Sequence, residues 1–231
     1  VEIDSVPVLS AVPTGPHRGG VVILPEIWGL SPFIHEQVSA FAARGFAAAA
    51  PSLYTIDGPD VAGDKDTAFQ RLADLDDAEV IRRIEIVARA IGSAGPVFAV
   101  GYCLGARCAL QALLDRPQLL SGAVAFGPTG LVATMTGRLT PLLPRLPELT
   151  RPLLLIVGDD DPYLPLTDVE QVRTALATGE AATEVLVCEG AGHGFHNPLR
   201  PGYRAGPAQL ARDRFEAWLD VQAPDLRSET R

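Results

Sequence analysis

The chain has 231 residues, 47% of them hydrophobic and 20% charged, which excludes a disordered chain and fits one large domain. Nineteen basic residues against 28 acidic ones leave a net charge of −9, which argues against a nucleic-acid partner and gives no polybasic handle for an anionic membrane. Three scattered cysteines, Cys103, Cys108 and Cys188, read as free thiols of a reducing compartment rather than as a disulfide framework.

No apolar run reaches the roughly 18 residues of a membrane span. The chain opens on acidic Glu2 and Asp4, without a basic-then-apolar signal pattern, so a cytoplasmic enzyme is expected. No repeat, low-complexity tract or linker divides residues 1–231. Residues 21–24 read as a buried strand closed by Pro25. Ser31 and Pro32 then provide an N-cap and a proline at the first helical position. That helix buries Phe33, Val38 and Phe41 and stops at Gly45. Residues 46–50 form the next strand. The polar stretch 52–66 lacks a period and reads as a long loop, with a partial lid expected over 52–72. Residues 76–91 are helical, with Val80, Ile84, Val87 and Ile91 on one stripe.

Further along, 97–100 is a short apolar strand, 101–105 a tight turn and 106–114 a helix. Residues 122–126 form a strand. The stretch 127–150 carries Pro128, Pro141, Pro144 and Pro147 and cannot be one helix. Its Leu131, Met135, Leu139, Leu142 and Leu143 are candidates for an apolar pocket wall. Strand 153–157, helix 166–177, strand 185–188 and helix 207–221 complete the order, and the tail 224–231 is expected to fray. Strands feeding helices throughout predict an α/β fold: a doubly wound, mostly parallel sheet with helices on both faces. Ligands of such sheets sit at the carboxyl ends of the strands.

The strongest chemical signal is Gly101-Tyr102-Cys103-Leu104-Gly105. It follows an apolar strand and opens a helix, which is the nucleophile-elbow pattern with Cys in place of Ser. Glycines two residues either side let strand and helix approach. The helix N-terminus favours a thiolate. The alternative for Cys103 is a buried structural thiol between two packing glycines. An elbow requires an acid and then a His later in the chain. Gly158-Asp159-Asp160-Asp161-Pro162 and Gly190-Ala191-Gly192-His193-Gly194-Phe195 occupy those places. His193 reads as the base that takes the Cys103 proton, against the alternative of a surface loop His. Asp161, fixed by Pro162, is expected to orient it. Asp160 is the second choice, and Asp159 reads as a turn or solvated residue.

These pieces, with Pro25-Glu26-Ile27-Trp28-Gly29 and Pro51-Ser52-Leu53-Tyr54, make the chain resemble the dienelactone hydrolase family of α/β-hydrolases, over roughly residues 21–219. The resemblance implies the α/β-hydrolase fold and a Cys103–His193–Asp161 triad. It adds Glu26 as the acceptor of the resting thiol's proton, and an oxyanion hole from the backbone N–H groups of Ile27 and Leu104. The family holds a substrate carboxylate with arginines. Here the segment after His193 reads Phe195-His196-Asn197-Pro198, without Arg, and Lys65 and Arg71 flank Phe69 ahead of the long helix. Arg200 or Arg204 could take the missing place.

Trp28, Lys65, Phe69, Tyr102 and Phe195 are candidate substrate contacts. Cys108 and Cys188 are expected to be structural. His193 and His196 are spaced like a short metal pair, but no further ligand motif completes a site, and no Gly-rich loop implies a nucleotide. No cofactor or metal is therefore expected. The expected partner is a small lactone or ester, with a monomer or homodimer as the assembly. The rival readings are a cyclase or isomerase on the same scaffold and a catalytically silent ligand-binding protein.

Overall fold

The computed structural model describes residues 1–54, 61–134 and 139–224. An antiparallel hairpin opens it, β1 (Glu2–Ile3) and β2 (Val6–Ala11). The strands β3 (Gly19–Leu24), β4 (Phe46–Pro51), β5 (Val97–Tyr102), β6 (Gly122–Phe126), β7 (Leu153–Asp160) and β8 (Thr183–Gly192) follow. They join one sheet in the order β1-β2-β4-β3-β5-β6-β7-β8. β2 runs antiparallel to β4, and every later neighbouring pair is parallel. This is the α/β-hydrolase fold.

The side-chain alternation of the strands builds two cores. Val22, Leu24, Ala99, Ala123, Leu155 and Val157 face one core. It is covered by α2 (Lys65–Ala73), α3 (Asp77–Ile91), α4 (Leu104–Asp115) and α5 (Leu166–Ala177). Val21, Ile23, Phe98, Val100, Tyr102, Val124 and Phe126 face the other, beneath α1 (Pro32–Ala43) and α6 (Ala205–Gln222). Strands buried on both faces read as unbroken apolar runs, and that made β3 to β7 visible in the sequence.

Two elements were not expected. The N-terminal hairpin extends the sheet beyond β4. The α2 helix occupies part of the stretch read as a lid: Asp64 caps it by accepting the Thr67 N–H at 2.8 Å, and Ala68 and Leu72 are buried. Residues 55–60 of that stretch lie outside the described residues. Residues 61 and 62 are bridged to Gly29 and Trp28. In the proline-rich excursion, Leu131, Leu139 and Leu142 are buried in the α3–α5 core, beside a 3-10 helix over Leu143–Glu148. That is core packing rather than an open pocket wall. Met135 and residues 225–231 of the tail lie outside the described residues. Among the described residues, no helix is long and apolar enough to cross a membrane.

Candidate active site

Cys103 stands between β5 and α4 with φ 55° and ψ −113°, a conformation that a side-chain-bearing residue adopts only under strain. Its N–H is held by the Phe126 carbonyl at 2.9 Å, and its own carbonyl accepts from Ala106 and Arg107. A Cβ at Gly101 would overlap the Gly105 carbonyl, and one at Gly105 would overlap the Leu24 carbonyl. The two glycines are thus required by the contact of α4 with β3 and β5. The result is a thiol at a helix N-terminus, 8% exposed.

β7 and β8 bring up the partners. They pair in parallel until the register shifts between Gly158 and Asp160. Asp159 accepts the Ala191 N–H at 3.1 Å across this irregularity, so it ties the two strands rather than being solvated. Asp160 is exposed and Asp161 is buried. Asp161 accepts the Tyr163 N–H at 2.9 Å and lies 2.8 Å from Nδ1 of His193. That bond leaves Nε2 as the nitrogen for Cys103. Burial opposes protonation of His193, but hydrogen bonds to Asp161 and Cys103, and their charges, outweigh it and raise the pKa. The Tyr163 ring meets the imidazole edge-on at 4.7 Å. The structure therefore brings Cys103, His193 and Asp161 together.

The loop after β3 supplies the next wall. Glu26 is buried, which raises its pKa, while Arg200, Asn197 and His193 pull it down. Its carboxylate accepts from Asn197 Nδ2 at 3.3 and 3.5 Å and lies 3.7 Å from the Arg200 guanidinium. The thiol's hydrogen bond goes to His193. Ile27 follows, and its carbonyl accepts from the Tyr54 hydroxyl at 3.0 Å. Among the described residues, the N–H groups of Ile27 and Leu104 make none of the turn and cap hydrogen bonds. The Leu104 N–H, first in α4, also lacks an acceptor within the helix. Arg200 stacks on Trp28 at 4.1 Å. The two line a cavity of about 260 Å³ with Ser31, Asn197 and Leu199.

Two expected substrate contacts are corrected. Tyr102 precedes Cys103 on a strand, so its side chain points to the opposite face. It is buried in the α1–α6 core, donates to Gln37 at 3.0 Å and stacks on Phe126. Phe195 is buried in the same core. The Lys65 ammonium sits over Phe69 at 5.5 Å. Among the described residues, no hydrogen bond or ion pair joins either to Cys103 or His193. His193 and His196 part company: the first goes to Asp161, the second stacks on Tyr102. A cleft of about 290 Å³ between α1 and α6 includes Tyr102, Phe126 and His196 and lies on the far side of the sheet from Cys103. Burial pushes the Cys108 thiol up to about 12 and the Cys188 thiol up to about 11, as expected of structural cysteines. Asn197 is the contact that the sequence did not single out; Asn before Pro marked only a turn.

The model of the dienelactone hydrolase family matches residues 6–222. The carboxymethylenebutenolidase of Pseudomonas putida is 31% identical over 88% of the chain and 85% of its own length. A Yersinia pestis protein described as a candidate carboxymethylenebutenolidase is 28% identical over 94% of the chain and 84% of its own length. A crystal structure from Klebsiella pneumoniae, described as a candidate dienelactone hydrolase, superimposes with a TM-score of 0.83. Its identity is 27%, with 92% of each chain covered.

Proposed function

The chain belongs to the dienelactone hydrolase family, a hydrolase of esters or lactones, and on that premise we propose that it cleaves a small lactone or carboxylic ester through Cys103. His193 takes the thiol proton as Cys103 Sγ attacks the carbonyl carbon, and Asp161 holds the imidazole and stabilises its charge. The tetrahedral oxyanion is met by the N–H groups of Ile27 and Leu104, each worth about 3–4 kcal/mol to the transition state. The C–O bond to the leaving oxygen then breaks, and that oxygen takes the proton from His193. Water activated by His193 attacks the thioester, releasing the acid and restoring the thiol.

The observation that carries this reading is the chain of contacts from Cys103 through His193 to Asp161, 2.8 Å at its second step. Arg200 is the cation for a substrate carboxylate. It is about one-third exposed, rests on the Trp28 ring and has only a 3.7 Å ion pair to give up. A guanidinium also offers the bidentate fork that Lys65 lacks. Arg204 instead donates to the Tyr203 carbonyl at the start of α6.

Replacing Cys103 by Ala should abolish hydrolysis of γ-lactones and 4-nitrophenyl esters while leaving the circular dichroism spectrum unchanged. Wild-type rates in Cys103→Ala would end the proposal.

A further inference from the structure

The proposed chemistry needs two loops held in register: the one carrying the Ile27 N–H and the one carrying His193. Among the described residues, no backbone hydrogen bond joins residues 25–31 to residues 193–204. The links are side chains, and they converge on Glu26 and Asn197. Every polar group of Asn197 is used. Its N–H donates to Gly194 O at 3.0 Å, and its carbonyl accepts from Arg200 N–H at 3.1 Å. Its Oδ1 accepts from Leu199 N–H at 3.0 Å. That bond fixes which end of the amide is oxygen, so Nδ2 points at Glu26. Both side chains are buried, Asn197 at 1% and Glu26 at 4% exposure, where a lost partner is costly. Glu26 shares its peptide bond with the Ile27 N–H, so whatever fixes Glu26 fixes that donor.

We propose that Asn197 is a positioning residue, clamping the His193 loop to the oxyanion loop through the buried Glu26 carboxylate. Glu26 is then the anchor of the clamp, and the resting thiol's proton goes to His193. This rests on the reading of Cys103 as an acylated nucleophile. Acyl transfer requires base and oxyanion donor together and is sensitive to small misplacements. Alkylation of the thiol requires only Cys103 and its base. The clamp therefore separates the two reactivities.

The test measures Cys103-dependent hydrolysis of 4-nitrophenyl acetate beside the rate of Cys103 alkylation by iodoacetamide. Asn197→Asp sets a second carboxylate against Glu26. It should lower kcat about 10- to 100-fold, with KM within about threefold and alkylation within about threefold of wild type. The swapped pair E26Q/N197D restores a donor facing an acceptor and should recover most of the loss. Should N197D fail to fold, E26A tests the same link from the other side, with the same split between hydrolysis and alkylation.

Wild-type hydrolysis in N197D, or a swapped pair no faster than N197D, overturns the clamp. Slow alkylation in E26Q and E26Q/N197D alike overturns it in favour of Glu26 as the thiol's base. Wild-type protein without Cys103-dependent hydrolysis overturns the hydrolase reading itself and the clamp with it.

Discussion

His196 is enclosed by Phe33, Tyr102, Phe126 and Phe195, and among the described residues neither ring nitrogen has a hydrogen-bond partner. Each such atom costs about 1–3 kcal/mol. Burial, aided by the charge of His193, lowers its pKa to about 3. The sign follows from proton counting. Between about pH 6.5 and 3 the unfolded chain carries a proton on this residue and the folded chain does not, so stability falls as pH falls. The slope is about 1.4 kcal/mol per pH unit. His193, with a raised pKa, gives a contribution that is complete below pH 6.5 and constant across this window. His196→Phe should therefore raise stability at pH 7 by about 1–3 kcal/mol and flatten the acid limb by one proton. Urea unfolding at pH 7, 6, 5 and 4 measures both, and an unchanged acid slope refutes the argument. At this scale the sequence was read well where chain order decides, as for Cys103, Asp161 and His193. It was misread where the facing side of the sheet decides. Tyr102 and Phe195 neighbour chemical positions in sequence, yet both are buried in the α1–α6 core.

The elbow is a contact between elements, and its glycines are where that contact can be tested. Gly105→Ala would drive a methyl into the Leu24 and Pro25 carbonyls, which belong to a central strand and cannot yield. The expected outcome is loss of the seated α4: a large fall in Tm and alkylation of the buried Cys108. Gly206, in α6, has open space around its would-be Cβ and an ordinary φ. Gly206→Ala should therefore stabilise by about 0.4–1 kcal/mol. Equal effects of the two substitutions would show that close approach is not what the elbow glycines provide. Strand–turn–helix patterning made this unit legible because every position in it is constrained. By contrast, β2 alternates buried Val6 and Val8 with Pro7, and α2 buries only Ala68 and Leu72. Their few apolar residues leave too short a period to read. The path of the segment after His193 is set by side-chain bonds to a distant loop, Asn197 to Glu26 among them. No local pattern encodes such bonds.

Across the whole molecule, the face that carries the nucleophile is tied together by a charge. Arg107, one turn beyond Cys103 in α4, has a side chain only 1% exposed. It donates to both Asp77 carboxylate oxygens, at 2.7 and 3.2 Å, and to the Thr140 carbonyl at 2.7 Å. Asp77 in turn accepts from the Thr140 hydroxyl at 3.2 Å. One ion pair thus joins α3, α4 and the returning end of the proline-rich excursion, and it pins the helix whose N-terminus holds the thiol. Removing one member of a buried pair leaves an uncompensated charge and costs about 3–5 kcal/mol. With Asp77 at 22% exposure, the lower end applies, because water can reach the vacated side. Asp77→Ala should therefore lose about 3 kcal/mol in urea unfolding and speed iodoacetamide labelling of Cys108, which lies within α4. The pair D77A/R107M, which leaves no charge behind, should recover most of that stability. A double variant as unstable as Asp77→Ala would mean that the shape of the junction, not its charge balance, holds the catalytic helix in place.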